Sequence, residues 1–452
     1  MPFIRSISGI RATVHDALDS NIIERYCIGF AEYLPKGSIV VGYDGRTSGS
    51  WISEIVIKAL AQCGRDVIFI GIAPTPTVQL ITEHTHQCAG GISISASHNP
   101  SEWNGLKFIG GDGVFLDADQ NKSFWACVDK NTVIASAGKN GSIFHEQHAM
   151  EKHIKSILDH PIFAEIRNID ATKSLKVVVD AVNASGSEYI PTLLRTLGCQ
   201  VVELYCDKSG VFPHTPEPLP EHLHELQKAV IMYKADLGIA VDPDADRLVL
   251  IDENGQAIGE ERTITLAVLA ALSLRKSSDN QENVVVNLST TMAVRTVCER
   301  FNAILHRTPV GEINVVRHMQ SIGAVIGGEG SGGVIFPDSH YGRDSLVGTA
   351  LLLSLLRSQN LSLSELNSSI PTYAMKKTKV EFTGEFLNIK RRLLTLFSPM
   401  NIREDDGLYC EFNDGWLHVR TSNTEPIARI IAESSNETTT QSLIEKALQA
   451  FV

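Results

Sequence analysis

Three shortages narrow the field before any motif is read. The eight cysteines, at 27, 63, 88, 127, 199, 206, 298 and 410, are scattered and no two are spaced C-x-x-C. Zinc ribbons and thioredoxin-type redox sites need that spacing, so neither is expected, and in a chain this long the thiols read as reduced, mostly buried residues of a cytoplasmic protein. Long apolar runs are missing too. The most apolar stretch, residues 263–274, is shorter than the roughly 20 residues that span a bilayer, so it reads as a core helix and no membrane partner is expected. The N-terminal "MPFIRSISGIRATVHD" lacks the continuous apolar region of a secretory signal. Positive charge is scarce: 40 Lys and Arg against 52 Asp and Glu leave −12. That balance argues against nonspecific nucleic-acid binding, which depends on clustered cations, but a few local arginines can still hold one phosphate.

The remaining composition, 43% hydrophobic and 20% charged over 452 residues, is that of a soluble globular chain with ample core. Its length suits about three domains, or four small ones. Three segments begin alike: "SIVVGYDGRTSGS" from Ser38, "LKVVVDAVNASGS" from Leu175 and "ENVVVNLSTTMAV" from Glu282. Each is a short β-branched run, then a turn rich in Gly, Asp, Asn or Ser, then a stretch with helical character, the pattern of a strand feeding a βα turn. Each is followed by a second Gly-led apolar strand that ends in a polar or glycine-rich loop: "GGISISASHNP", "LGIAVDPDADR" and "AVIGGEGSGGV". The chain thus reads as an α/β protein of three related units with mixed, mostly parallel sheets. Their loops beyond the carboxyl ends of strands are where such sheets gather ligands. A helix in "HEQHAMEKHIKSILDH" is expected to cross from the first unit to the second. The tail differs: after a linker near Pro371 come an amphipathic "FLNIKRRLLTLF", a turn-rich segment read as two or three antiparallel strands, and a final helix. The expected domains are 1–150, 151–254, 255–368 and a C-terminal α+β domain, 369–452.

Four loops carry chemistry. In "VDPDADRLVLID" the acids Asp242, Asp244 and Asp246 recur at every second residue before Arg247, a spacing that lets three carboxylates converge on one hard divalent cation. It is not an EF-hand, because the position needing Gly holds Arg247, even though Glu253 fills the twelfth, and an apolar strand follows; the same aspartates also suit an ordinary turn. "SASHNP" offers Ser97 beside His98, but there is no G-x-S-x-G elbow, and neighbouring side chains on extended backbone point apart, so a Ser97–His98 hydrogen bond is not expected. Alone, the stretch reads better as a polar turn. "GGEGSGG" sets Glu329 and Ser331 among five glycines, which allow close backbone approach and supply partners for sugar hydroxyls; it also suits a flexible turn. It is not a Walker phosphate loop. "RTSNTEP" places Arg420 before Ser422, Asn423 and Thr424, a cradle for phosphate or else a capped turn.

The four loops in this order and spacing resemble the α-D-phosphohexomutases, and "SGIRA" resembles that family's N-terminal motif. The resemblance covers essentially the whole chain. It implies four domains around a central cleft, with Ser97 as a phosphoserine that moves phosphate between O6 and O1 of a hexose phosphate through a sugar bisphosphate. It implies one Mg²⁺ held by Asp242, Asp244 and Asp246 beside Ser97. Lys107, His98, Arg11 and Arg247 assist, Glu329 and Ser331 hold the ring hydroxyls, and Arg420, Ser422, Asn423, Thr424 and Arg429 grip the phosphate not being transferred. Two departures from some branches stand out: Gly333 replaces a histidine, and "VVVNLSTT" lacks a lysine. "SASHNP", "TPVGEINVV" and "GGEGSGGVIFPDSHYGRDSLVG" lean toward phosphoglucosamine mutase, with phosphomannomutase/phosphoglucomutase as the alternative. A phosphoserine-dependent metal phosphatase and a non-catalytic sugar-phosphate binder are the readings from other classes. The sequence is silent on oligomeric state.

Overall fold

The computed structural model describes residues 3–130, 140–164, 174–275, 281–422 and 426–451. The three expected repeats have one topology. In the first, Ser38–Tyr43 pairs in parallel with Val67–Ile72 and Cys88–Ile94, and Trp103–Gly110 returns antiparallel against Cys88–Ile94. In the second, Lys176–Asp180 lies between parallel Gln200–Leu204 and Leu237–Val241, and Leu248–Asp252 returns antiparallel. In the third, Asn283–Asn287 lies between Ile304–Thr308 and Ile326–Glu329, and Gly333–Ile335 returns. Each central strand is a β-branched apolar run, as expected where helices cover both faces of a sheet. In every unit the loop into the antiparallel return is one of those singled out above: Ser97, the aspartates, then Glu329 and Ser331. One topological position therefore carries candidate site residues three times.

The first sheet is larger than its repeats. The hairpin Ile4–Ser6 and Gly9–Thr13 extends it antiparallel beyond Trp103–Gly110, and Ile143–His145 closes the other edge. The hairpin places Arg11 opposite Gly105, next to the Ser97 loop. The helix Ala149–Leu158 then leaves the first unit, with buried His153 bonded to Thr77 Oγ1 at 2.9 Å and to Asp344 Oδ2 at 2.9 Å. It thereby fastens the first unit to the third. One hydrophobic core runs through all three units, and residues 263–274 lie inside Glu260–Leu274, a helix buried along most of its length.

The last domain holds more strands than the turn-rich segment suggested. Its five-stranded antiparallel sheet includes Ala374–Glu381, which pairs along its whole length with Ile427–Ser434. "AMKKTKVE" was not read as a strand because its lysines break the apolar alternation; at this sheet edge Lys376 and Lys379 are exposed and discourage pairing with another chain, while Lys377 pairs with Glu260 at 2.7 Å and Glu261 at 2.9 Å. Phe386–Leu396 and Glu437–Leu448 are the two expected helices over a separate core. All eight cysteines are unpaired, but only Cys27, Cys199, Cys298 and Cys410 are fully buried. Among the described residues no helix is long and apolar enough to cross a membrane.

Candidate active site

A cleft of about 760 Å³, a size usual for small-molecule sites, is lined from all four domains. Arg11, His98 and Lys107 come from the first, Arg247 from the second, Glu329 and Ser331 from the third, and Arg420 and Arg429 from the last. Ser97 is 1% exposed and lies just behind His98. Ser422 is not among the lining residues; its N–H closes the turn onto Ile427 O at 2.9 Å. Asn423 and Thr424 lie outside the described residues.

The Ser97–His98 expectation is corrected. Ser97 has φ +51°, a left-handed conformation, so the backbone is not extended there and the two side chains turn to the same side. Ser97 Oγ lies 3.3 Å from His98 Nδ1 and donates to Asp242 Oδ2 at 2.9 Å. A non-glycine residue held at positive φ costs on the order of 1–3 kcal/mol and needs its surroundings to impose it. Arg46 does so. Its buried guanidinium, paired with Asp44 at 3.0 Å, donates to the carbonyls of Ser97 (2.5 Å), Asn99 (2.7 Å), Pro100 (2.7 Å) and Trp103 (3.1 Å). Phe212 from the second unit covers its face at 4.9 Å.

The aspartate loop is pinned by all three units. Ser185 Oγ donates to Pro243 O at 2.7 Å, Thr75 to Asp244 through both its N–H (3.0 Å) and its hydroxyl (2.5 Å), and Ser345 Oγ to Ala245 O at 2.6 Å. The three carboxylates offer oxygens within 4.8 Å of one another. Lys107 Nζ lies 2.5 Å from Asp244 and 3.3 Å from Asp246, and Arg343 reaches Asp246 at 2.6 Å. Burial and the charges of Asp246 and Asp244 push the Asp242 carboxyl well above the usual range. Burial also acts to raise Asp244 and Asp246, but Lys107 with Thr75, and Arg343, respectively, hold them low. Oδ1 of both Asp244 and Asp246 is buried without a hydrogen-bond partner. Unpaired hard oxygens converging beside a serine hydroxyl fit a divalent cation.

The cations split into two kinds. Burial works to lower the Lys107 amine, but Asp244 and Asp246 outweigh it and the amine stays protonated. His98 is driven down to about 2, first by the Arg247 charge, then by burial and Arg11, so its ring is neutral. Glu217, from a loop of the second unit, lies 3.9 Å from His98 Nε2 and 3.7 Å from Arg247. At the other side of the cleft Arg420 and Arg429 are cross-strand neighbours, and Arg420 Nε is buried without a hydrogen-bond partner. Two guanidiniums side by side can share an anion, and Asp406 and Glu329 offset part of the Arg420 charge.

Arg343, Arg46 and Asn287 are site residues that motif reading passed over. Arg343 ties the aspartate loop to the Glu329 loop, bonding Asp246, Glu312 Oε2 at 2.9 Å and Glu329 Oε2 at 3.0 Å. Gly333 makes this possible: a Cβ there would sit 2.3 Å from Arg343 Cδ. Asn287, in the strand noted for lacking a lysine, donates to Glu329 Oε1 at 2.8 Å. Gly330 likewise leaves room for Glu261, whose carboxylate a Cβ would meet at 2.0 Å. The sequence signal for the two arginines was their place in "DGRTSG" and "YGRDSLVG", polar turns at strand ends.

Three α/β units of one topology and an antiparallel fourth domain, closed around a cleft with a serine, an acidic triad and paired arginines, define a class of four-domain sugar-phosphate mutases. Family descriptions agree: phosphoglucomutase/phosphomannomutase alpha/beta/alpha domains I, II and III match residues 4–134, 151–255 and 263–373. The chain belongs to this family, the α-D-phosphohexomutases, and is an isomerase of the mutase type. A phosphoglucomutase/phosphomannomutase of Thermococcus kodakarensis is 34% identical over 454 residues, covering 98% of this chain and 96% of its own. A probable phosphoglucosamine mutase of Methanopyrus kandleri is 33% identical over 436 residues, covering 95% and 93%. The crystal structure of a phosphoglucomutase/phosphomannomutase family protein from Burkholderia thailandensis superposes with a TM-score of 0.84 at 25% identity, covering 99% and 97%.

Proposed function

We propose that this protein moves phosphate between O6 and O1 of a hexose phosphate, using Ser97 as phosphoryl carrier and a sugar bisphosphate as intermediate. One observation carries the reading: the Ser97 hydroxyl meets the acidic triad, 2.9 Å from Asp242, beside the same cleft that Arg420 and Arg429 line. A phosphatase working through Ser97 needs no second phosphate grip, and a passive binder needs no acidic triad behind a serine.

A hydroxyl of the bound sugar monophosphate attacks the phosphorus on Ser97, and the P–Oγ bond breaks. The hydroxyl proton passes through His98, at Nδ1, to Ser97 Oγ. A dianionic phosphoryl group offsets the Arg247 and Arg11 charges that otherwise keep His98 from accepting a proton. Lys107, Arg11 and Arg247 neutralise the charge of the group in transfer, the main task in phosphoryl transfer. Asp242, Asp244 and Asp246 would hold Mg²⁺, which would supply further charge neutralisation for the phosphoryl oxygens. Glu329 and Ser331 hold the ring hydroxyls, and Arg420 and Arg429, with Ser422, Asn423 and Thr424 of the same sequence motif, grip the other phosphate. The bisphosphate then turns over, Ser97 Oγ attacks the second phosphorus, and the phosphate has changed position on the sugar. Eight unpaired thiols suit a reducing, cytoplasmic setting.

Glucosamine 6-phosphate, converted to glucosamine 1-phosphate, is the proposed substrate. The name of the M. kandleri relative supports it; that of the T. kodakarensis relative favours a phosphomannomutase/phosphoglucomutase as the second reading. Intact mass of the purified chain should show a subpopulation heavier by one phosphate, removed by phosphatase and absent in Ser97→Ala. Full mutase activity in Ser97→Ala defeats the mechanism. Comparing kcat/KM on glucosamine 6-phosphate, glucose 1-phosphate and mannose 1-phosphate ranks the sugars; a clear preference for mannose 1-phosphate overturns the choice of substrate and leaves the mechanism standing.

A further inference from the structure

Away from the catalytic cleft, a cavity of about 200 Å³ lies at the seam between the third unit and the last domain. Arg295 and Arg307 line it from the third unit; Arg403, Tyr409 and Glu411 line it from the last domain. Arg295 is paired with Glu411 at 2.5 Å, and Arg403 with Asp405. Arg307 has no carboxylate within ion-pair distance among the described residues; its terminal nitrogens donate to main-chain carbonyls, including Thr290 at 2.7 Å and Asn287 at 3.2 Å. Its Nε is buried without a hydrogen-bond partner, and so is the hydroxyl of Tyr409. With Arg295 and Arg403 paired, Arg307 supplies the unbalanced positive charge, and its buried N–H and the Tyr409 O–H complete a donor set suited to a tetrahedral oxyanion.

We propose that this cavity is a second anion site, built for free phosphate and separate from the catalytic cleft. The carbonyls that Arg307 holds belong to the turn beginning at Asn287, whose side chain orients Glu329 in the sugar loop. Phosphate in the seam binds that turn to the sheet carrying Arg420 and Arg429. It thus couples free phosphate to the alignment of the sugar loop with the phosphate grip, a regulatory input that the transfer chemistry does not require.

The test is calorimetric titration of inorganic phosphate into the full chain carrying Arg420→Ala, which weakens the cleft. Tyr409→Phe and Arg295→Gln are then added singly to that background. Tyr409→Phe keeps the ring stacked on Trp416 at 5.6 Å, so the fold is retained. One phosphate is expected to remain in Arg420→Ala. Its affinity should fall about tenfold with Tyr409→Phe, the cost of one hydrogen bond to a charged group. Arg295→Gln, which leaves Glu411 unpaired at the cavity, should abolish it. No phosphate bound by Arg420→Ala, or an affinity unmoved by both added changes, overturns the site. If Arg420 does not grip phosphate in the cleft, two phosphates remain in the background variant, and the Tyr409→Phe effect still decides.

Discussion

Arg46→Lys is the sharpest test of how the serine loop is held. The guanidinium makes five hydrogen bonds, one to Asp44 through Nε and four to the carbonyls of Ser97, Asn99, Pro100 and Trp103. A lysine keeps the charge but has three donors on one nitrogen, so at least two buried acceptors lose their partner. At about 1–3 kcal/mol for each buried acceptor left unsatisfied, the loop is destabilised by roughly 2–6 kcal/mol. That exceeds what is needed to release Ser97 from its left-handed conformation, which costs on the order of 1–3 kcal/mol to hold. A shift of about 1 Å at a reacting atom costs on the order of 100-fold in rate. Arg46→Lys should therefore lower kcat by about that factor with KM nearly unchanged, since the phosphate grip lies in another domain. Hydrogen exchange at the amides of residues 97–103 should quicken while exchange in the last domain's sheet does not. A variant with wild-type kcat and unchanged exchange in that loop refutes the positioning argument.

Three further outcomes follow from the same geometry. Asp244→Asn, or thorough chelation, should abolish turnover, because the proposed cation site loses a carboxylate in the first case and its ion in the second; activity that survives complete chelation removes the metal assignment. Arg420→Ala should raise KM more than it lowers kcat, on the proposed role of gripping the phosphate that does not move, and steady-state kinetics separates the two effects. Glu261, pushed up to about 7 by burial and by Glu260 against the pull of Lys377, binds its proton more tightly folded than unfolded. Its contribution is thus fully present below the ordinary carboxyl pKa of about 4.3 and is lost as pH rises through about 7. Glu261→Gln should melt like wild type near pH 4.5 and above it at pH 8; a constant difference across that range contradicts the shift.

Much of this site was legible because its parts are local. Ser97, the three aspartates, Glu329 with Ser331, and Arg420 each sit in a turn whose composition announces a polar task, and each of the three repeated turns follows a β-branched strand. The lysine-rich edge strand Ala374–Glu381 was missed because its pattern is set by its place at the rim of a sheet. The Ser97–His98 contact was misjudged because it depends on one backbone angle, and Arg46, more than 50 residues earlier, is what holds that angle.

Periodicity and turn chemistry are short-range properties, so the chain order alone sufficed to settle the three α/β units, the distinct tail and the loops that carry chemistry. Which side chains meet is a long-range property. Lys107 pairs with Asp244 across 137 residues, and Ser97 with Asp242 across 145. The passage of Arg343 over Gly333, the bond from Asn287 to Glu329 and the arginines at the seam likewise exist only once separate domains have packed. Those meetings set the chemistry: the aspartates hold Lys107 protonated against the pull of burial, Arg247 together with burial keeps His98 neutral, and Oδ1 of Asp244 and of Asp246 is left buried without a hydrogen-bond partner.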